Sequence, residues 1–314
     1  MEISIGYWIG FLVFVFIMLM LDLGVFHKKD TEVKVKEAIL WSVFWISLAL
    51  IFNVGVYYLF GKAQALDFFT AYVLEKSLSV DNLFVFIMIF GYFNISSKYQ
   101  HKVLFWGIFG ALIMRAIFIF AGVALIQKFS WIMYIFGIFL VYTGIHMIVG
   151  KKDVKEGFDP NKNIIMRLFR KMMPVTNETS NPHFFERKDG ILYATPVFLA
   201  LLFIEISDVV FAVDSIPAVL SVSKDIFIVF TSNIFAILGL RSLYFALNGI
   251  MQYFYYLKFA LAGILSFIGL KMCVNEFCTM FGYDFHISNY VSLGIIIFLL
   301  TISIMLSVIQ KKKA

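Results

Sequence analysis

Long apolar runs alternate with short polar connections along the chain. Nine runs are long enough to cross a membrane, and they cover residues 3–26, 39–60, 68–92, 103–126, 131–149, 192–220, 226–247, 257–274 and 288–309. About 20 consecutive apolar residues span the hydrocarbon core as a helix, and a helix satisfies its backbone hydrogen bonds within itself. The pattern therefore predicts an all-α polytopic membrane protein with about nine transmembrane helices.

Composition excludes a soluble protein of this length. Hydrophobic residues make up 61% and charged residues 15% of the 314 positions, whereas a soluble domain is about half apolar and about a quarter charged. The first run is too long, and too poor in positive charge at its start, to be a cleaved signal peptide. The formal net charge of +6 lies in the connections, so we expect membrane lipid and not nucleic acid as a partner.

The positive charges also predict an orientation. One set of alternate connections, with the C-terminus, holds 19 Lys and Arg residues, and the other set holds three. Since positive residues are retained on the cytoplasmic side, we expect the N-terminus outside and the C-terminus in the cytoplasm. The long connection 151–190 is then cytoplasmic. Its residues 163–173 have one apolar and one basic face, typical of a helix on the anionic inner leaflet. This segment could be a simple spacer between two halves of the chain, or it could be regulatory.

Two parts of the chain share a pattern. The third and sixth runs both read Asp-x-x-Phe, at Asp81 and Asp208, a few positions after another acidic residue. An arginine follows each aspartate at nearly equal distance, Arg115 after 34 residues and Arg241 after 33. The two runs cross in opposite directions. The pattern therefore predicts two inverted three-helix repeats, as in many secondary transporters, whose sites lie at the midplane where the repeats meet.

These features predict the organisation of the chain. Residues 1–314 form a single membrane domain, with a first repeat at 68–149 and a second repeat at 192–274. The cytoplasmic amphipathic linker 151–190 joins the repeats. Residues 288–309 form a last transmembrane helix that belongs to neither repeat.

Ionisable residues inside the predicted spans mark a candidate site. A charge at the bilayer centre costs at least about 2.5 kcal/mol on insertion scales, so each one needs a reason. Five acidic residues lie in the third and sixth runs, and we predict that they are metal ligands: Glu75, Asp81, Glu205, Asp208 and Asp214. Three basic residues also lie inside the spans: Arg115, Arg241 and Lys76, whose side chain is expected to snorkel outward. Five negative and three positive charges leave two negative charges, which one divalent cation would neutralise.

Residue spacing adds detail in the sixth run. Glu205 and Asp208 share a helical face, whereas Asp214 lies about 180° from Glu205 on a straight helix. Pro217 cannot donate a hydrogen bond to the Val213 carbonyl, so we expect the helix to kink or unwind near Asp214. The freed carbonyl would be a further candidate ligand.

Other polar residues in the spans are predicted to line or support the ion pathway. They are Asp22, Ser79, Asn82, Arg115, Ser207, Pro217, Asn233 and Arg241. Simpler roles stay open for several of them. The acids and arginines could pair only to hold helices together, Asp22 could anchor or cap its helix, and Asn233 could be an ordinary interhelical hydrogen-bonding residue.

The ligand chemistry narrows the ion. Carboxylate, amide and hydroxyl oxygens suit Mg²⁺, Ca²⁺ or Mn²⁺, and no His or Cys stands near them in the sequence. His101 and the other loop histidines are expected at the surface. Cys273 and Cys278 lie near the outer face, where they could form a disulfide or remain as two free thiols. The sequence contains no phosphate loop, HExxH or nucleophile elbow, so we predict neither an enzyme nor a resident cofactor.

Two acidic segments carry a family resemblance. Residues 75–86 and 208–218 resemble the paired signatures of the TerC family, integral membrane proteins named for tellurium resistance, and residues 21–27, 103–108 and 230–241 resemble its Alx branch. The resemblance implies a bacterial inner-membrane exporter of Mn²⁺, with the acidic residues of the third and sixth runs as the ion pathway. It also implies links to alkaline stress and to metal supply for exported metalloenzymes, with those enzymes or the translocation machinery as partners.

Two functional hypotheses follow. The first is Mn²⁺ efflux by alternating access, with the five carboxylates as ligands or proton acceptors and with protons as a candidate counter-ion. The second is a membrane scaffold or partner subunit whose buried ion pairs are structural, and whose effects on metal or tellurite stress are indirect.

Overall fold

The computed structural model describes residues 4–26, 35–129, 131–149, 169, 173–176, 183–188, 190–247, 256–283 and 285–311. Each of the nine apolar runs contains a helix within these ranges. The helices are α1 (Ile5–Phe26), α2 (Val35–Phe60), α3 (Lys62–Tyr92), α4 (Ser97–Lys128), α5 (Ile132–Val149), α6 (Pro196–Leu220), α7 (Ile226–Leu238), α8 (Leu240–Leu247), α9 (Leu257–Phe281) and α10 (Asn289–Lys311).

Most of these helices can cross a bilayer. In the described part of the chain, seven stretches are long and apolar enough, and they correspond to α2, α4, α5, α6, α7 with α8, α9 and α10. Helix α1 is also apolar. Helix α3 has 31 residues but carries the charged residues of the candidate site. The prediction of an all-α polytopic membrane protein is confirmed.

A short hairpin precedes α6. Strands β1 (Phe185–Lys188) and β2 (Ile191–Ala194) pair antiparallel, and α6 begins at Pro196, four residues beyond the predicted start of that span. The Thr195 side chain caps the helix by accepting a hydrogen bond from Phe198 N at 3.4 Å. Proline is favoured at the first helical position because its missing N–H would be unpaired there anyway.

The predicted unwinding at Pro217 is wrong. Helix α6 continues through Asp214 to Leu220 with Pro217 inside it. Since Pro217 lies in the last turn, its missing hydrogen bond does not separate two helical segments. The interruption lies in the next span instead, where α7 ends at Leu238 and α8 begins at Leu240 with Gly239 between them.

Lys76 contacts this interruption, so its predicted outward snorkelling is also wrong. Its Nζ donates a hydrogen bond to the Ala236 carbonyl at 3.1 Å, in the last turn of α7. A Cβ added to Gly239 would lie 2.8 Å from Lys76 Nζ and 3.0 Å from Trp45 Cβ. The helix dipole favours a cation at a C-terminal end, which explains why this ammonium group turns into the protein.

The helices pack in a reciprocal pattern. Helix α3 packs along α7, α4 packs along α6, and α5 packs along α9. An internal two-fold axis would exchange α3 with α6 and α4 with α7, and would pair α5 with α9. The packing therefore has the arrangement that the repeat pattern predicts, and the inverted repeat itself stays a prediction.

Glycines bring α5 and α9 into backbone contact. A Cβ at Gly137 would lie 2.8 Å from the Gly269 carbonyl oxygen, and a Cβ at Gly144 would lie 2.6 Å from the Ala262 carbonyl oxygen. Small residues at helix interfaces allow this close approach in membranes, where packing drives association. The pair holds the end of the first predicted repeat against the end of the second.

Replacing Gly144 with leucine is expected to destabilise the protein by about 1–3 kcal/mol, the usual cost of overpacking. The new side chain would meet the backbone of α9, which cannot move aside by changing a rotamer. Thermal unfolding of the detergent-purified protein measures the effect. Gly294→Leu is the matched control because a Cβ at Gly294 has no atom within 4 Å. Equal melting temperatures for the two variants would contradict the packing argument.

Candidate cation site

A single buried arginine lies at the centre of the charged residues. Arg115 on α4 is 1% exposed. Its Nη1 donates hydrogen bonds to the Glu75 carboxylate, to Ser215 Oγ at 3.1 Å and to Asn233 Oδ1 at 3.0 Å. Its Nη2 donates to Asp208 Oδ1 at 3.5 Å. One guanidinium group therefore connects α4 to α3, α6 and α7.

The periodicity of α4 turns Arg115 into the protein. The buried positions in the middle of this helix recur every three or four residues: Ile108, Ala111, Arg115, Ile119 and Val123. Such a stripe faces protein and not lipid. Arg115 is thus placed by the same pattern that places its apolar neighbours, and its charge is satisfied by groups on the facing helices.

Both carboxylates paired with Arg115 keep one oxygen without a partner. Glu75 Oε2 and Asp208 Oδ2 are buried, and no hydrogen bond from a described residue reaches them. Ser79 Oγ, one turn from Glu75 on α3, is in the same situation. Buried polar atoms normally find a partner, and each exception calls for an explanation such as a bound ion or water. These three oxygens are therefore candidate ligands.

A cavity of about 60 Å³ adjoins this arrangement. Its polar lining residues are Glu75, Asn82, Arg115, Thr143, Asp214 and Ser215. A buried water needs about 10–15 Å³ of such space, so the cavity has room for about four waters or a partly hydrated cation. Apolar side chains from α3, α5, α6 and α9 complete the wall.

The other two acids of α6 point in different directions, as their spacing predicts. Asp214 accepts a hydrogen bond from Thr143 Oγ1 on α5 at 3.3 Å and lines the cavity. Glu205 is half-buried against α4, where a Cβ on Gly110 would overlap its carboxylate. The structure brings Glu75, Asp208 and Asp214 to the Arg115 region and leaves Glu205 to one side.

The predicted supporting residues have distinct surroundings. Asn233 Nδ2 donates to the Val229 carbonyl at 3.0 Å, which orients Oδ1 toward Arg115. Ser207 Oγ donates to the Phe203 carbonyl at 2.7 Å, so its hydroxyl is engaged within α6. Arg241 is 3% exposed in the first turn of α8, just after the interruption at Gly239. Asn82 lines the cavity, whereas Pro217 is buried in the last turn of α6.

Some predicted features lie outside the described residues. Asp22 and Asp81 belong to helices α1 and α3, but their side chains are not described. The amphipathic segment 163–173 also falls outside, apart from Phe169 and Met173.

The described carboxylates surround a cation that belongs to the protein. Among the residues that the structure describes, no three His, Cys, Asp or Glu side chains converge as a metal site. Arg115 instead lies between Glu75 and Asp208 and supplies the positive charge that they need. A buried carboxylate left without such a partner would be strongly destabilising.

Sequence reasoning missed two hydroxyl residues of the site. Ser215 lies within the acidic segment 208–218 but is itself uncharged, and Thr143 lies in an apolar run without Asp, Glu, Lys or Arg. Only packing shows that both face the cavity. The expectation that His101 lies at the surface is also wrong, since His101 is 6% exposed and its ring lies 5.4 Å from that of Phe245.

The cysteines are free thiols in the structure. Cys273 and Cys278 lie on the continuous helix α9. Five residues of helix separate them by about 7.5 Å along the axis, which exceeds the usual Cα separation of a disulfide. A bond between them would require α9 to unwind.

The fold and the site define a class: integral membrane proteins whose helices cross the bilayer several times around a buried charged centre. Residues 60–314 match the family described as "Integral membrane protein TerC family". The chain therefore belongs to the TerC family, and the resemblance in its two acidic segments is confirmed.

Relatives match nearly the whole chain. It is 50% identical over 311 residues to "Uncharacterized membrane protein STKORF319" of Myxococcus xanthus, covering 99% of this chain and 94% of the relative. It is 44% identical over 309 residues to "Putative membrane-bound redox modulator Alx" of Escherichia coli (strain K12), covering 96% and 93%. A membrane protein of Rickettsia bellii is 40% identical over 304 residues, covering 97% of each chain. No solved structure matches the chain.

Proposed function

We propose that this protein exports divalent metal cations, foremost Mn²⁺, from the cytoplasm through its carboxylate-lined intramembrane site. One observation carries the proposal: Glu75 and Asp208 each keep a buried oxygen that no described residue bonds, and Glu75 lines a cavity of about 60 Å³. Buried acids in membrane spans are costly and typically mark ion pathways. Membership of the TerC family supports a membrane role and leaves the cargo as our proposal.

The oxygen chemistry of the site supports a hard cation. Glu75 and Asp214 line the cavity together with Asn82 and Ser215. Asp208 reaches the same arginine, Arg115, from α6. Oxygen donors of these types suit Mn²⁺, Mg²⁺ and Ca²⁺. We propose Asp81 and Glu205 as further ligands or as steps along the pathway.

Arg115 gives the proposed cycle its resting state. Its single positive charge offsets one of the two negative charges of Glu75 and Asp208 while no substrate is bound. An entering cation would compete with Arg115 for these oxygens, and Arg115 would keep its hydrogen bonds to Ser215 and Asn233. Competition of this kind weakens binding, which helps release on the far side of the membrane.

Proton exchange is the coupling that we propose. A carboxylate that releases a metal ion can take up a proton, which lets the site return without a bare buried charge. Manganese flux through purified protein in vesicles should therefore rise when the pH gradient supplies protons from the receiving side. A flux that is independent of pH would remove this part of the proposal and leave export itself.

Two lines of reasoning support the proposed setting. The positive charges of the connections favour an N-terminus outside and a C-terminus in the cytoplasm, and membership of the TerC family favours the bacterial inner membrane. Exported metalloenzymes or the translocation machinery are proposed partners, because an exporter would deliver metal to their compartment.

The ion pairs of Arg115 with Glu75 and Asp208 favour a second candidate function, which is structural. Arg115 bonds residues from three other helices, as a purely structural centre would. A membrane scaffold or partner subunit with structural ion pairs would then affect metal or tellurite stress indirectly. This alternative predicts normal manganese content in cells that contain the protein.

Cellular manganese after Mn²⁺ loading tests the proposal. We expect an exporter-deficient bacterium that produces the protein to hold several-fold less manganese than the same strain with an empty vector. Parallel loading with Ca²⁺ and Mg²⁺ measures selectivity among hard cations. Equal manganese contents, with the protein present in the membrane by immunoblot, would contradict export and favour the scaffold.

A further inference from the structure

A second, partly buried polar cluster centres on Asn289 at the start of α10. Its Oδ1 accepts a hydrogen bond from Lys271 Nζ at 2.6 Å. Its Nδ2 donates to Asp67 Oδ1 at 2.7 Å and to the Val222 carbonyl at 2.8 Å. Both hydrogens of the amide are therefore used. Lys271 is 2% exposed, so this ammonium group depends on the cluster and not on water.

The cluster joins parts of the chain that the sequence assigns to different units. Asp67 lies on α3 at the edge of the first predicted repeat, whereas Val222 and Lys271 belong to the second. Asn289 belongs to neither, because α10 follows both repeats. A single amide thus ties α3, α9 and the turn between α6 and α7 together.

The tied elements include three of the helices that line the cavity of the candidate site, α3, α6 and α9. Glu75, Ser215 and Leu265 line that cavity on α3, α6 and α9. Each lies six to eight residues along the chain from the group that Asn289 binds. At 1.5 Å per helical residue, the Asn289 cluster lies about 9–12 Å from the cavity, toward the end of the bundle where α3 and α10 begin.

We propose that Asn289 is a positioning residue that keeps this end of the cavity closed, and that the end opens only when its three hydrogen bonds break. The inference rests on the proposed transport function, because alternating access requires the two units to separate at one end at a time. Contacts that cross between the units at one end are the ones such a movement must break.

A second asparagine provides a matched control. Asn275 on α9 also uses both ends of its amide, accepting from Ile287 N at 2.8 Å and donating to the Ile287 carbonyl at 3.3 Å. These bonds hold only the connection between α9 and α10. Asn275→Leu and Asn289→Leu therefore remove the same chemical group at the same end of the protein, but only the latter removes hydrogen bonds that join the two units.

Cysteine accessibility tests the proposal. The reporter is Leu265→Cys in the cavity wall, in a background with Cys273→Ser and Cys278→Ser. A membrane-impermeant maleimide is applied to intact cells and, separately, to inverted vesicles. We expect Asn289→Leu to raise the labelling rate about tenfold from the face where α3 begins, by shifting the population toward the open state. Asn275→Leu should label like the parent, and labelling from the opposite face should not rise.

Several results would overturn the proposal. They are equal rates for Asn289→Leu and Asn275→Leu, or an equal rise from both faces. If Asn289→Leu does not reach the membrane, Asn289→Asp replaces it. That substitution removes both Nδ2 donors and places a carboxylate beside Asp67, so labelling should be fast. Adding Asp67→Asn restores a donor between the two positions and should slow it again, and equal rates with and without Asp67→Asn would refute the inference.

The labelling assay and the transport assay test two different claims, so either can give a negative result without the other. The labelling assay needs no manganese movement, so faster one-sided labelling in a protein that exports no manganese would leave the Asn289 assignment and remove the transport function. Manganese export together with unchanged labelling of Asn289→Leu would support the transport function and refute the role of Asn289.

Discussion

Glu75→Gln and Asp208→Asn are each expected to abolish manganese export, returning cellular manganese to the level of the empty vector. Both substitutions keep the volume and one oxygen that can accept a hydrogen bond from Arg115. They remove the negative charge that a divalent cation needs, and neutral amide oxygens bind such ions much more weakly. Total manganese after Mn²⁺ loading, divided by the protein level from immunoblots of membranes, measures the effect.

A carboxylate outside the site provides the control for this experiment. Glu37 lies exposed in the first turn of α2, so Glu37→Gln removes the same charge without touching the cavity. This variant should export like the wild type. Export by Glu75→Gln or Asp208→Asn at the wild-type level would show that the acids of α3 and α6 are not the pathway.

Arg115→Met is expected to cause the largest loss of folded protein. It leaves Glu75 and Asp208 buried without their cation, and removal of one partner from a buried ion pair typically costs about 3–5 kcal/mol. The amount of monodisperse protein extracted from membranes should fall several-fold. Adding Glu75→Gln removes one of the two uncompensated charges. It should restore much of the folded protein, because the destabilisation comes from buried charge and not from a steric clash.

The same double variant separates the two candidate functions. A transporter with Arg115→Met and Glu75→Gln should be present in the membrane but inactive, since a ligand is missing. A scaffold should regain its effect on metal stress together with its abundance. Arg187→Met, on the exposed strand β1, is the control for loss of an arginine outside the site and should change neither quantity.

The sequence predicts the helices of this fold more completely than the site. Apolar run length locates every described span, because crossing the hydrocarbon core requires a fixed number of residues. The start of α6 differs because Ile191–Ala194, although apolar, pair as a strand ahead of the Thr195 cap. Apolarity alone does not separate a short apolar strand from the first turn of a helix.

Partners within the site depend on packing that a single sequence does not contain. The acids and arginines stand out because charge is rare in a membrane span. The spacing of Asp81 and Arg115 along the chain indicates a repeat and not which residues are in contact, and the described contacts of Arg115 include Asp208 from the other unit. Ser215, Thr143 and Asn289 carry no charge, so no cost of insertion singles them out.

Arg115 also matters for the step of the proposed transport cycle in which the site holds no metal ion. A carrier must return after each delivery, and an unloaded site with two bare carboxylates would face a large barrier in a low-dielectric interior. In the proposed cycle the countercharge moves with the site, on a side chain already bonded to Glu75 and Asp208. The empty group would then return with one net negative charge instead of two, so turnover would depend on how readily the arriving ion displaces Arg115.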